Sequence, residues 1–211
     1  MESTAVNGPT RVIAYVDGFN LYFGMRSKKW AKYYWLDVCA LSRALLKPWQ
    51  ALIVTKYFTS RISGPNDKRL RQTKYLEAIA TLTGLETFYG MYQLNEQRCH
   101  ACGHVSHVPQ EKMTDVNIAT EILTDAFAGR MDTAILISAD SDLVGPILAV
   151  KRLFPSVRVI VAFPPDRASK ALKDVATGWT TISRESLSNS QMSNVIQAQD
   201  GHQIERPTEW R

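Results

Sequence analysis

The residues of this chain that could do chemistry are acids placed where apolar runs stop. Val12–Val16, Val-Ile-Ala-Tyr-Val, ends at once in Asp17, Gly18, Phe19 and Asn20. A second stretch of the same design, from Thr133 to Ser138, opens into Asp140 and Asp142. Short runs rich in Val, Ile and Tyr read as buried strands. An acid at the carboxyl end of a parallel strand stands on the edge where open α/β sheets bind ligands. If the two strands are neighbours, Asp17, Asp140 and Asp142 meet. Two carboxylates about 4 Å apart repel by about 4 kcal/mol at an effective dielectric of about 20. Such a group either keeps a proton or takes a divalent cation. Its all-oxygen character favours Mg²⁺ or Mn²⁺ over zinc.

The elements that must position these acids follow from the pattern of the chain. Gly18 is expected to turn the backbone sharply and Asn20 to cap a short helix. Arg26, Lys28, Lys29 and Lys32 are interleaved with Trp30, Tyr33, Tyr34 and Trp35. Rings among cations can stack bases while the charges hold phosphates, but packing of these rings against the sheet is the favoured reading. A helix is expected from Asp37 to about Lys47, stopped by Pro48. Ala51–Thr59 reads as a strand, and a helix runs from Asn66 or Asp67 to about Thr83. Its basic run, Lys68, Arg69, Arg71 and Lys74, reads as a solvated face that could also follow a nucleic-acid backbone. Leu85–Leu94 reads as the third strand.

Lys112–Gly129 carries the apolar face Ile118, Ile122, Leu123 and Phe127, with Thr114 expected as its cap and Gly129 as its end. Asp115 lies in the first turn, where helix-dipole stabilisation alone would explain it. Glu121 and Asp125 are spaced as an i, i+4 pair, the mark of a solvated strip. The Thr133–Ser138 strand is followed by a helix from Asp142 to Phe154, a strand at Val157–Phe163, a helix from about Asp166 and a short edge strand at Trp179–Ser183. Strand and helix alternate throughout, which predicts an α/β domain with a mostly parallel sheet and helices on both faces.

Residues 95–112 differ in texture. They hold Cys99, Cys102, His104 and His107, and three of the four histidines of the chain. These are metal-ligand types at plausible spacing, and either a small zinc site or a polar surface hairpin accounts for them. The odd cysteine count does not make a disulfide framework.

The 211 residues are 45% hydrophobic, with a formal net charge of +5. That mild excess suits a nucleic-acid or phosphate partner as well as a plain basic surface. The first residues show no signal-peptide pattern and no run is long enough to cross a membrane, so an intracellular, cytoplasmic protein is expected. Residues 1–10 are expected as a loose arm and 11–185 as the domain, with the Cys/His insertion at 95–112. Residues 186–211 are expected as a polar tail, partly disordered or docking late.

Three motifs, VDGFNLY, EKMTDVNIA and ILISADSD, give the chain from about Arg11 to Ser183 a resemblance to the NYN domain, in the LabA-like branch of the PIN-like nuclease superfamily. The resemblance implies a three-layer α/β/α fold with a central sheet of about five or six strands. It also implies metal-dependent ribonuclease chemistry. The acidic site of that family falls on Asp17, Asp115, Asp140 and Asp142, with Asn20 matching the asparagine after the first acid. Ala139 departs from the commoner Gly-Asp-Ser-Asp. Relatives carry similar Cys-x-x-Cys insertions before the EK-x-TDV segment, which adds weight to a structural zinc. PIN-like domains often pair, so a homodimer is expected by resemblance alone.

A carboxylate-bound Mg²⁺ or Mn²⁺ fits this chemistry, since it can activate water and steady a scissile phosphate without a covalent nucleophile. Asp17, Asp115 and Asp140 are the expected ligands, and Asp142 a ligand or water-positioning group. Asn20 would hold a carboxylate or the phosphate of single-stranded RNA. Lys56, Arg61, Lys112 and Ser169 are the expected phosphate contacts, the last at a helix start. A haloacid-dehalogenase-type phosphatase would need an acid at Phe19, and a dinucleotide fold a G-x-G-x-x-G that is absent. The remaining alternative is an RNA-binding or regulatory module with little turnover.

Overall fold

The first apolar run forms β1 (Thr10–Asp17), and from Val12 to Val16 it is fully enclosed. A computed structural model describes residues 8–98, 101–198 and 200–211, with the backbone alone for residues 92–97 and 106–111. After β1 come α1 (Gly18–Ser27), a 3-10 turn at Ala31–Tyr33, α2 (Val38–Ala44), β2 (Gln50–Thr59), α3 (Asn66–Ile79) and β3 (Leu85–Tyr89). An antiparallel hairpin follows, β4 (Met91–Arg98) and β5 (Val105–Lys112). The second half is α4 (Thr114–Phe127), β6 (Thr133–Ile137), a 3-10 turn at Ser141–Leu143, α5 (Val144–Leu153), β7 (Arg158–Phe163), α6 (Lys170–Val175) and β8 (Gly178–Thr181). The chain closes with α7 (Arg184–Asn189), β9 (Val195–Gln197), β10 (Gln203–Glu205) and a 3-10 turn at Thr208–Trp210.

The central sheet has six strands in the order β3-β2-β1-β6-β7-β8, and every pairing is parallel. The three-layer α/β/α architecture expected from the sequence is therefore the fold. Successive side chains of a strand point to opposite faces, and β1 divides accordingly. Val12, Ala14 and Val16 pack with Leu21, Met25, Trp35, Leu41, Leu76 and Ile79 from α1 to α3 and their connections. Ile13 and Tyr15 pack with Ile118, Ile122, Ile147, Val150 and Leu172 from α4, α5 and α6. The chain leaves β1 toward β2 and β3 on one side, and β6 leads away to β7 and β8 on the other. The strand order thus reverses between β1 and β6, which opens a crevice at their carboxyl ends.

Several elements differ from expectation for identifiable reasons. The run Leu85–Leu94 is broken at Gly90, where a Cβ would lie 2.7 Å from the Lys112 carbonyl oxygen. The chain therefore leaves the sheet there, and the expected Cys/His loop is the outer part of the β4–β5 hairpin. Gly18 begins α1 without a left-handed φ. It is required because a Cβ would meet the Tyr57 hydroxyl at 2.5 Å and the Phe58 carbonyl at 2.9 Å. The segment after residue 185, expected to be partly disordered or to dock late, is docked at its described apolar residues. Leu187, Met192 and Ile204 are buried in the core on the α1 face, and Trp35 donates its indole N–H to Ser193 O at 2.7 Å. A few well-spaced apolar residues suffice to hold this polar segment down. Trp35 and Tyr33 are also core residues, as the packing reading of the aromatic stretch requires. Among the described residues, no helix is long and apolar enough to cross a membrane.

Candidate active site

Asp17 ends β1 and caps α1. Its Oδ1 accepts the Asn20 backbone N–H at 2.9 Å, so Asp17, and not Asn20, is the helix cap. Its Oδ2 accepts the Ser138 hydroxyl at 2.9 Å. Ser138 follows β6, the strand beside β1, and is fully buried. The parallel pairing of Val16 with Ile137 puts both residues at the same edge and fixes the carboxylate from two strands. Asn20 is turned to the same place: its Oδ1 accepts the Ala139 backbone N–H at 3.2 Å and a hydrogen bond from Arg167 Nη1 at 3.4 Å. Ser138 Oγ in turn accepts the Asp140 N–H at 3.1 Å, and Asp140 Oδ1 accepts the Asp142 N–H at 3.0 Å. The acidic turn after β6 is thus wound by its own side chains and aimed at the end of β1.

Asp115 arrives from the opposite side. Met113, in the left-handed region at φ 79° and without a side-chain cap bond, precedes α4. Thr114 is therefore the first helical residue rather than its cap. A left-handed methionine costs about 1 kcal/mol, and the sharp turn swings the first turn of α4 toward β1 and β6. The result is a small polar cavity of about 140 Å³ lined by Asp17, Asn20, Asp115 and Asp140, with Lys112, Thr114 and Arg167 beside them and Phe19, Phe23 and Met113 as apolar walls. Burial, reinforced by the charges of Asp140, Asp17 and Asp142, pushes the Asp115 carboxyl up to about 6. Carboxylates gathered at a strand-end cavity are the oxygen donors that a hard divalent cation would take. Among the described residues, no three His, Cys, Asp or Glu side chains form a ready-made metal group.

The remaining expected residues divide. Asp142 is exposed and faces the cavity only through its charge. Lys112 lines it. Ser169 does not, since its Oγ caps α6 by accepting the Leu172 N–H at 3.3 Å. Arg61 lies over the Tyr89 ring, 5.6 Å from its centroid, and is absent from the cavity wall. Lys56 is a correction: it is only 1% exposed and cannot meet a phosphate. It points into the α4 layer, with Nζ 2.5 Å from Glu121, 2.8 Å from Asp125 and 3.7 Å from Glu86. Asp125, expected on a solvated strip, is fully buried and also takes the Tyr15 hydroxyl at 2.5 Å and an ion pair from Arg130. Burial and the Asp125 carboxylate push the Tyr15 phenol far up, so it remains a donor.

Of the proposed zinc ligands, Cys102 and His104 are exposed. Cys99 lies outside the described residues, as does the His107 side chain, whose backbone pairs with Glu96 across the hairpin. Arg167 and Ser138 were not singled out from the sequence. Arg167 follows β7 in the run Pro-Pro-Asp-Arg, on the same carboxyl edge as the acids, and that position was the available signal. It lies over the Phe23 ring, 5.8 Å from the centroid.

Comparison with known proteins bears on this geometry. A family model described as the NYN domain matches residues 11–183. A curated relative from Pseudomonas putida (strain DSM 28022 / S16), named 6-hydroxy-3-succinoylpyridine 3-monooxygenase HspA, is 24% identical over 221 residues. That match covers 88% of this chain and 69% of the relative. Among solved structures, a protein of unknown function from Vibrio parahaemolyticus RIMD 2210633, VPA0982, aligns with a TM-score of 0.55 at 18% identity. The alignment covers 88% of this chain and 98% of that one, and what the two share is the fold.

Proposed function

The chain belongs to the NYN domain family of the PIN-like nuclease superfamily, and from that premise we propose that it is a metal-dependent ribonuclease acting on single-stranded RNA. The observation that carries the proposal is the convergence of Asp17, Asp115 and Asp140, from three separate elements, on one strand-end cavity. Nothing in the packing of the core demands this. Burial first, and then the charges of Asp140, Asp17 and Asp142, raise the Asp115 carboxyl to about 6, a cost that a bound cation would offset.

In this reading Asp17, Asp115 and Asp140 hold Mg²⁺ or Mn²⁺, and Asp142 adds negative charge at the rim. When bound, such a cation supplies the positive charge that orients the scissile phosphate and lowers the pKa of a water. The rest falls to the chain. Ser138 and the start of α1 keep the Asp17 carboxylate in one orientation. The Asn20 amide ties α1 to the acidic turn and to Arg167. Arg167 and Lys112, which line the cavity, are the cations that would hold phosphate oxygens. Asp115, the carboxyl that burial and its acidic neighbours push up to about 6, is the one whose charge a bound cation would relieve most.

One observation favours a second reading, an RNA-binding or regulatory module. The described acids are not gathered into a compact three-ligand group. The monooxygenase name belongs to the Pseudomonas relative and, at 24% identity, does not bring its pyridine substrate to this chain. Cleavage of labelled RNA that requires Mg²⁺ or Mn²⁺ and Asp17 selects the ribonuclease. Tight RNA binding without metal-dependent cleavage selects the binding module.

A further inference from the structure

A second and larger cavity lies on the α1–α3 face of the sheet, about 330 Å³ in volume. That is within the usual range of small-molecule sites. Six aromatic side chains line it. Tyr22 and Tyr34 stand 4.9 Å apart by centroids, Trp210 meets Tyr34 edge-on at 5.7 Å, and Trp210 and Tyr57 both meet Tyr75 at 6.3 Å. Burial pushes the Tyr57 and Tyr75 phenols well up, so both keep their protons. The Tyr75 hydroxyl is spent on the Leu36 carbonyl at 3.0 Å.

Two cations border the cavity. Arg71 is occupied by Asp67 and Glu209, both at 2.7 Å. Lys68 is exposed and makes no ion pair among the described residues. Gly18 is a wall, and Phe19, the next residue, lines both this cavity and the acidic one.

We propose that this cavity binds a planar aromatic ring carrying an anionic group, with the ring stacked among Tyr22, Tyr34 and Trp210 and the anion drawn to Lys68. Ring-on-ring stacking tolerates any flat heterocycle, and the free ammonium of Lys68 supplies the charge complement. The shared Phe19 wall favours one source, a nucleotide unit of RNA whose neighbouring phosphate lies at the acids. That source rests on the ribonuclease reading, whereas the ring-plus-anion chemistry does not. The alternative source is a free small aromatic acid.

Calorimetric titration of the full chain in EDTA, with adenosine 5′-monophosphate, uridine 5′-monophosphate and nicotinate as probes, tests this. The variants are Lys68→Glu at the exposed mouth, Trp210→Ala in the wall and Ala31→Phe to fill the space, each checked for an unchanged melting curve. Asp17→Asn serves as the control at the other cavity. The expected result is nucleotide binding weakened about tenfold or more by the cavity variants and unchanged in Asp17→Asn. Nicotinate binding alone, with the same variant pattern, supports the site and assigns it to a free aromatic acid. No binding by any probe, or binding indifferent to all three cavity variants, overturns the proposal. If RNA cleavage requires Asp17 while the cavity variants change nothing, this proposal falls and the ribonuclease reading stands. If binding follows the cavity variants but no cleavage is found, the reverse holds.

Discussion

Ser138 donates its hydroxyl hydrogen bond to Asp17 Oδ2 across 2.9 Å, joining the end of β6 to the end of β1. With the Asn20 N–H on the other oxygen at 2.9 Å, this contact fixes the carboxylate at the crevice. Ser138→Ala leaves a buried carboxylate oxygen short of one donor. A bond to a charged group is worth about 2 kcal/mol. Urea denaturation is expected to show a loss of that size, and metal-dependent cleavage to fall further than stability alone explains. Full cleavage in Ser138→Ala would show that the orientation of Asp17 does not matter.

Asp115 gives a prediction with a definite sign. Its folded-state value of about 6 lies above the ordinary 3.8, so between these the folded protein holds more protons than the unfolded. Stability then falls as pH rises through that window, and the deficit is complete above about pH 6. In EDTA, Asp115→Asn is expected to raise the melting temperature above about pH 6, and the gain is expected to vanish toward about pH 4. Because proton and cation compete for this carboxyl, the Mg²⁺ or Mn²⁺ concentration needed for cleavage is expected to rise as pH drops below about 6. A variant less stable than the parent at neutral pH without metal would contradict the burial of that charge.

Lys56 is the reverse case, a cation whose importance is structural. It lies between Glu121, Asp125 and Glu86. Removing one partner from a buried charge group costs about 3–5 kcal/mol. Lys56→Met is expected to lower stability by that order in chemical denaturation, through the stranded Asp125 carboxylate. The salt dependence of RNA binding by its folded fraction is expected to match the parent.

Arg167 supplies the contrast. It stands half-buried on the cavity rim, bonded to Asn20 and laid over Phe23. Arg167→Ala is expected to weaken RNA binding and to reduce the slope of log affinity against log salt by about 1, with little change in melting temperature. An unchanged slope would remove it from the phosphate path.

The residues show why some of this was legible in the sequence and some was not. Val12–Val16 and Thr133–Ile137 announce themselves by unbroken apolarity, and the turn acids that follow them inherit their positions from those strands. The roles within the turns were less visible. Asp17 takes the capping role expected of Asn20 because the cap is the last residue still extended, and the helix already begins at Gly18. Asp125 and Lys56 look like surface charges in one dimension, and only the docking of α4 over β2 buries them together. The C-terminal segment has too few apolar residues to signal burial by density, yet Leu187, Met192, Ile204 and Trp210 each reach the core or its edge. Gly90 and Gly18 mark close approaches between distant segments, and a local reading of glycine sees only a turn.

The central claim is that the acids at the ends of β1 and β6 and the start of α4 cut RNA with a divalent cation. The most direct measurement is cleavage of labelled single-stranded RNA in Mg²⁺ or Mn²⁺ by the parent protein, with and without EDTA, and by Asp17→Asn. Asparagine keeps the cap on α1, since it serves as well as aspartate at that position, while removing the charge. The account predicts cleavage by the parent alone, abolished by EDTA and by the substitution, with the fold intact by circular dichroism. Equal cleavage by Asp17→Asn, or none by the parent with either metal while RNA still binds, would contradict it.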